Sequence, residues 1–151
     1  MLVKALLANK PREIITARPS TTVDEAMDLL ISNGIGCLPV VDEAGKPIGI
    51  VSDADIFKKI HQTKGNYHDL NVEDVMTTNL IVGLPTDELS YIAGVMTKNW
   101  IRHVPVVEGD VMVGLVSLRD IIKTQAENID AENRYLKLYT QGLGTRDKSA
   151  E

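Results

Sequence analysis

The sequence predicts an α+β protein made of two copies of one strand-helix-strand-strand-helix unit, followed by a helical extension. Three observations carry this: an internal repeat, apolar spacing that alternates between short runs and helical periodicity within each copy, and capping or turn residues at the joins. Ile35-Gly36-Cys37-Leu38-Pro39-Val40-Val41 matches Ile101-Arg102-His103-Val104-Pro105-Val106-Val107 at a shift of 66 residues. Gly49-Ile50-Val51-Ser52-Asp53-Ala54-Asp55-Ile56 matches Gly114-Leu115-Val116-Ser117-Leu118-Arg119-Asp120-Ile121 at a shift of 65, so one residue is lost from the intervening turn. Upstream, Pro19 pairs with Pro85, Leu30 with Met96 and Asn33 with Asn99 at the first shift.

Ile14-Ile15-Thr16-Ala17 and Leu80-Ile81-Val82-Gly83 are short apolar runs closed by Pro19 and Pro85, and are expected as strands or extended edges. Thr22-Val23-Asp24-Glu25 is a capping box, and Val23, Ala26, Met27, Leu30 and Ile31 follow helical spacing until Gly34. The second copy's helix is expected from Thr86 or Asp87, with Leu89, Ile92, Ala93 and Met96 on one face. Two strands follow, Cys37 to Val41 and Ile48 to Ser52, around a turn rich in Gly and Pro, which the second copy tightens to Glu108-Gly109-Asp110. A further helix starts after Ser52 and after Ser117. Between the copies, Asn71 can cap a short helix through Val72, Val75 and Met76.

The last helix is expected to run to about Tyr139, with a frayed end beyond Gly142-Leu143-Gly144. Its apolar residues, including Ile121, Ile122, Ile129, Leu136 and Leu138, need a surface to pack against: the chain's own core, a twin in a homodimer, or a separate protein. The expected domains are 1–66 for the first unit with its lead-in, 67–125 for the second, and 126–151 for the tail.

At 151 residues the chain can bury about 68–70% of its unfolded surface, a sizeable core without disulfides or metal for folding; Cys37 is the single cysteine. With a net charge of −5 and no basic run, nucleic acid is not an expected partner. The opening Met1–Ala8 is too short for a membrane span and lacks a leader's basic region, so a cytoplasmic protein without membrane contact is expected. Catalysis finds little support: His61, His68 and His103 stand at no metal-ligand spacing, and no Gly-rich phosphate loop ends in Lys and Ser or Thr.

The doubled pattern of Pro-Val-Val, a turn, then Gly-apolar-Val-Ser-x-x-Asp resembles the paired cystathionine-β-synthase (CBS) domain, or Bateman module, in its stand-alone bacterial form, over about Arg12 to Gln125. The resemblance implies two β-α-β-β-α units around a pseudo-two-fold axis with two clefts for adenosyl ligands: AMP first, with ADP, ATP, NAD or S-adenosylmethionine as alternatives. It further implies a regulatory homodimer that passes the ligand state to a separate effector protein. A structural dimerisation unit with vestigial clefts is the alternative.

Ser52-x-x-Asp55 and Ser117-x-x-Asp120 sit where a strand becomes a helix, a place where free amide groups favour anions and a carboxylate can hold two ribose hydroxyls. The same spacing is also a capping box with no ligand at all. Gly49 and Gly114 would allow close backbone approach. In the family the first strand, here Thr16 and Ala17 with Val82, presents backbone to the adenine edge. Leu38, Pro39, Val104 and Pro105 would wall the base or simply fill the core. Only the second copy carries cations: Arg102, His103 and Arg119 replace Gly36, Cys37 and Ala54. Arg binds phosphate through its planar fork, so the cleft they reach should prefer phosphorylated ligands, unless they pair with Glu108 or Asp120.

Overall fold

Two antiparallel hairpins form the centre of each repeat, β1 (Cys37–Val41) with β2 (Pro47–Ser52), and β3 (His103–Glu108) with β4 (Val111–Ser117). The computed structural model describes residues 1–10 and 13–150, with the side chains of 135 and 139–150 excepted; the expected start of the family pattern at Arg12 lies outside the described residues. Helices α1 (Val3–Ala8), α2 (Val23–Asn33), α3 (Asp53–Gln62), α4 (Leu89–Asn99) and α5 (Leu118–Ala150), with a 3-10 turn at Val72–Asp74, complete the chain. The fold class is as the sequence predicts.

Both hairpins carry a bulge at the same place, between Val40 and Val41 and between Val106 and Val107. The residue missing from the second copy is therefore lost from the turn, and the bulge survives. Thr22 Oγ1 accepts the Glu25 N–H at 3.1 Å and Glu25 Oε2 accepts the Thr22 N–H at 3.2 Å, starting α2 with the expected capping box. Gly34 ends α2 in the left-handed region, φ +61°. The second copy departs from this. Asp87 Oδ2 accepts the Leu84 N–H at 2.8 Å and so serves the preceding turn, and α4 begins only at Leu89. Trp100 stands where Gly34 stands, at φ +56°, and is 94% exposed.

Of the two expectations for the leading runs, the extended edge holds and the full strand does not. Each run makes one parallel bridge, Ala17 to Val40 and Gly83 to Val106. The Ala17 N–H donates to Pro39 O at 2.9 Å, and Ala17 O accepts the Val41 N–H at 3.0 Å. To extend the ladder upstream, Ile15 O would need an N–H from residue 39, and proline has none. Pro105 stops Ile81 in the same way, and Pro19 and Pro85 stop extension downstream.

Each repeat's core is completed by the segment leading into the other repeat. Val3 and Leu6 of α1 are buried with Leu89, Ile92, Met96, Val104, Val106 and Val116 of the second repeat. Val72 is buried with Val23, Leu30, Leu38, Val40 and Val51 of the first. The two segments are equivalent at a shift of 69: the Val3 N–H donates to Asp87 O at 2.8 Å, and the Val72 N–H donates to Thr21 O at 2.7 Å. Burying such side chains contributes about 1.5–3 kcal/mol each.

Gly49 and Gly114 turn out to serve this cross-covering and not a ligand. A Cβ at Gly114 would meet Leu7 Cδ1 at 2.5 Å, and one at Gly49 would meet the Met76 thioether. The glycines are the seats for these side chains. Among the described residues the apolar stripe of α5 joins the chain's core only through its first turn: Ile121 is buried, while Ile122, Ile129, Leu136 and Leu138 are each more than half exposed. The own-core expectation fails beyond Ile121 because α5 runs past the body as a 33-residue helix, longer than the end near Tyr139 expected from Gly142 and Gly144.

We expect Gly114→Ala to destabilise the protein by about 1–3 kcal/mol by overpacking. In Leu7→Ala the same substitution should cost much less, a coupling that urea unfolding of the two single variants and the double variant would measure.

Candidate functional site

The strand-to-helix junctions of the two repeats are built alike. In the first, the Ser52 N–H donates to Asp55 Oδ2 at 2.9 Å and the Asp55 N–H donates to Ser52 Oγ at 3.1 Å. In the second, the Ser117 N–H donates to Asp120 Oδ2 at 2.9 Å and the Asp120 N–H to Ser117 Oγ at 3.0 Å. The capping-box reading is therefore realised in both copies. It does not exhaust either carboxylate: the capping bonds fall on Oδ2, and Oδ1 is outside them. Both Asp residues are half-buried, so each remains accessible as an acceptor.

Cys37 pairs with Ser52, and His103 pairs with Ser117, across the ends of the hairpins. Burial pushes the Cys37 thiol up to about 12, so it is inert as a nucleophile. Burial also lowers the pKa of His103, helped by the charges of Arg102 and Lys10, and the imidazole is neutral at pH 7. Arg102 NH2 lies 3.6 Å from Asp53 Oδ1, a pairing between the repeats and not with Glu108 or Asp120. With both side chains more than 60% exposed, that pair is easily exchanged for another anion. Arg119 is exposed on the first turn of α5.

The remaining candidates divide. Val82 is 44% exposed and Thr16 half-buried, so both present surface, but Ala17 is buried. Leu38 and Val104 are 0% exposed and belong to the two cores, and Pro39 and Pro105 are buried beside them. These four therefore fill the core in this structure, one of the two roles expected of them. A shallow depression of about 500 Å³ lined by Arg18, Pro19, Ser20, Asp42, Glu43 and Glu73 includes neither junction. We place the candidate site at the junctions, where the paired hydroxyl and carboxylate groups recur.

Lys10 was not visible as a candidate in the sequence. Its Nζ is 2.7 Å from Asp120 Oδ2 and donates to Leu115 O at 2.7 Å. Burial raises the pKa of Asp120, but the bonds from Lys10 and Ser117 outweigh it and hold the carboxyl below its ordinary value. The equivalent carbonyl in the first repeat, Ile50 O, accepts the Thr77 N–H at 2.9 Å. A backbone amide on one side thus corresponds to an ammonium on the other. The available signal was Val3, Leu6 and Leu7 matching Val72, Val75 and Met76 in spacing, which aligns Lys10 with Asn79.

A family model for the CBS domain matches residues 7–62 and again 72–127. The chain belongs to the CBS domain family. As a CBS pair it is 29% identical over 131 residues to the CBS domain-containing protein YhcV of Bacillus subtilis, covering 87% of this chain and 92% of that protein. It is 37% identical over 121 residues, 80% of this chain, to an L-aspartate semialdehyde sulfurtransferase of Methanocaldococcus jannaschii, but spans only 22% of that enzyme's length. Among solved structures, a CBS-domain protein of Agrobacterium tumefaciens superposes with a TM-score of 0.78 at 29% identity, over 83% of this chain and 99% of that one. A CBS domain pair in complex with 5′-methylthioadenosine and S-adenosyl-L-methionine superposes with a TM-score of 0.75 at 34% identity, over 85% of this chain and 98% of that one. Among the described residues no cluster of His, Cys, Asp or Glu could hold a metal ion, and no helix is long and apolar enough to cross a membrane.

The neutral, buried His103 gives a pH dependence with a definite sign. The unfolded chain protonates this residue near 6.5 and the folded chain only at lower pH, so its stabilising contribution is complete above about 6.5 and is lost as pH falls through the folded value. Thermal melts should show stability declining below that pH in the wild type and a shallower decline in His103→Gln.

Proposed function

We propose that this CBS pair is a regulatory module that binds an adenosyl ligand at its two strand-to-helix junctions and is not itself an enzyme. The observation that carries the reading is the duplicated Ser-x-x-Asp junction, with half-buried carboxylates whose Oδ1 atoms are left over from capping. Such a carboxylate accepts the 2′ and 3′ hydroxyls of a ribose, and the adjoining helix start accommodates a phosphate. The solved relative with bound methylthioadenosine and S-adenosylmethionine supports the ligand class. AMP is the first candidate, ahead of ADP, ATP, NAD and S-adenosylmethionine, because the second repeat carries Arg102 and Arg119 and receives Lys10 at Asp120, positions where the first has no cation.

The module acts in the cytoplasm as a homodimer that signals to a separate effector protein. Phe57 in α3 and Ile122 in α5 occupy equivalent positions of the two repeats and are 75% and 55% exposed. Such a symmetric apolar pair suits a self-complementary interface. The exposed stripe of α5 lies next to it, available to the twin or the effector.

Calorimetric titration with AMP, methylthioadenosine and S-adenosylmethionine tests the reading. Tight binding of one of them, weakened about tenfold or more by Asp55→Asn or Asp120→Asn, is the expected result. No thermal shift with any of them at millimolar concentration would leave a structural dimerisation unit as the function. Sedimentation velocity should find a dimer in the wild type and a monomer in Phe57→Ser/Ile122→Ser.

A further inference from the structure

The two junctions differ at one place that neither the repeat nor the ligand reading explains. Asp120 Oδ2 accepts both the Ser117 N–H and the Lys10 ammonium, and Lys10 is anchored by a second bond to Leu115 O. Lys10 and Asp120 side chains are 29% and 22% exposed, so the pair is screened less than a surface ion pair. At the first junction the corresponding strand carbonyl is satisfied by Thr77 backbone, and the residue aligned with Lys10 is Asn79.

We propose that Lys10 determines ligand selectivity at the Asp120 cleft, making it choose anionic nucleotides over neutral nucleosides. The inference rests on the adenosyl-ligand reading above and adds a residue and a rule to it. A ribose whose two hydroxyls engage both oxygens of Asp120 competes at Oδ2 with the ammonium already there. A neutral nucleoside gives Lys10 nothing in exchange, and leaves a partly desolvated cation with one carbonyl partner. A nucleotide phosphate offers the displaced ammonium a charge-assisted bond, so the lost pair is replaced. The Asp55 cleft has a neutral amide at the corresponding carbonyl and should discriminate less.

The test is calorimetry with AMP and adenosine as probes on full-length chains carrying Asp55→Asn, so that only the Asp120 cleft is read. With Lys10 present, AMP should bind more tightly than adenosine. In Lys10→Met the ratio of AMP to adenosine affinity should fall about five- to tenfold, with adenosine binding unchanged or tighter, the worth of one partly buried charge-assisted bond. Lys10→Arg should keep the preference for AMP and serves as the test should Lys10→Met fail to fold: there, loss of the preference would count against the proposal. An unchanged ratio in Lys10→Met overturns it. Adenosine binding lost along with AMP would overturn it too, since Lys10 would then be supporting the fold of the cleft. If neither probe binds even the wild-type chain, the ligand reading fails and this inference fails with it, a result distinct from binding without discrimination.

Discussion

Everything in this fold depends on the exchange of covering segments between the repeats. A two-stranded hairpin with one helix on either side exposes a strand edge and too little apolar surface to be stable alone. Here α1 is laid across β4, and the 3-10 turn with Thr77 across β2. Each repeat therefore lacks part of its core until the other is in place. The glycines at positions 49 and 114 follow from that constraint, because any side chain there would occupy the seat of Met76 or Leu7.

The exchange also brings the candidate site into being. The covering segments run beside β2 and β4, and the one on β4 reaches the junction where the strand becomes a helix. On the second repeat this delivers Lys10 to Asp120 and Leu115. On the proposed reading, a ligand that engages Asp120 meets an ammonium carried by the N-terminal segment, which would link the two. A ligand that favours one arrangement of that contact can bias the segment, the requirement for any ligand signal to leave its site.

On the proposed reading the Ser and Asp at each junction have a double use. Their mutual capping bonds start α3 and α5, and the same bonds hold the carboxylate in place for a second set of hydrogen bonds. Structural and binding roles are not alternatives at such a position, because an acceptor pre-positioned by capping loses little freedom when a hydroxyl arrives. The exposed Phe57, Ile122 and the outer stripe of α5 leave apolar surface that the described part of the chain does not cover.

Local chemistry made much of this legible in advance. Thr22 and Gly34 bound α2, and the paired Ser-x-x-Asp motifs mark the strand-to-helix junctions, because capping and turn preferences act over three or four residues. The matching Pro-Val-Val blocks likewise made the tandem architecture evident from spacing alone. Other features depend on residues far apart in the chain. The leading runs have strand composition, yet pairing stops after one bridge because the partner that would donate is Pro39 or Pro105. Leu38 and Val104 read equally well as wall or core until the covering segments closed over them. Lys10 reads as an ordinary surface lysine, and its bond to Asp120 spans 110 positions of sequence. The residues by themselves determined the repeat, the two hairpins with most of their helices, and the two acceptors; only tertiary structure decided which segment covers which repeat, and hence that one acceptor holds an ammonium, because that contact exists only once the chain has crossed from one repeat to the other.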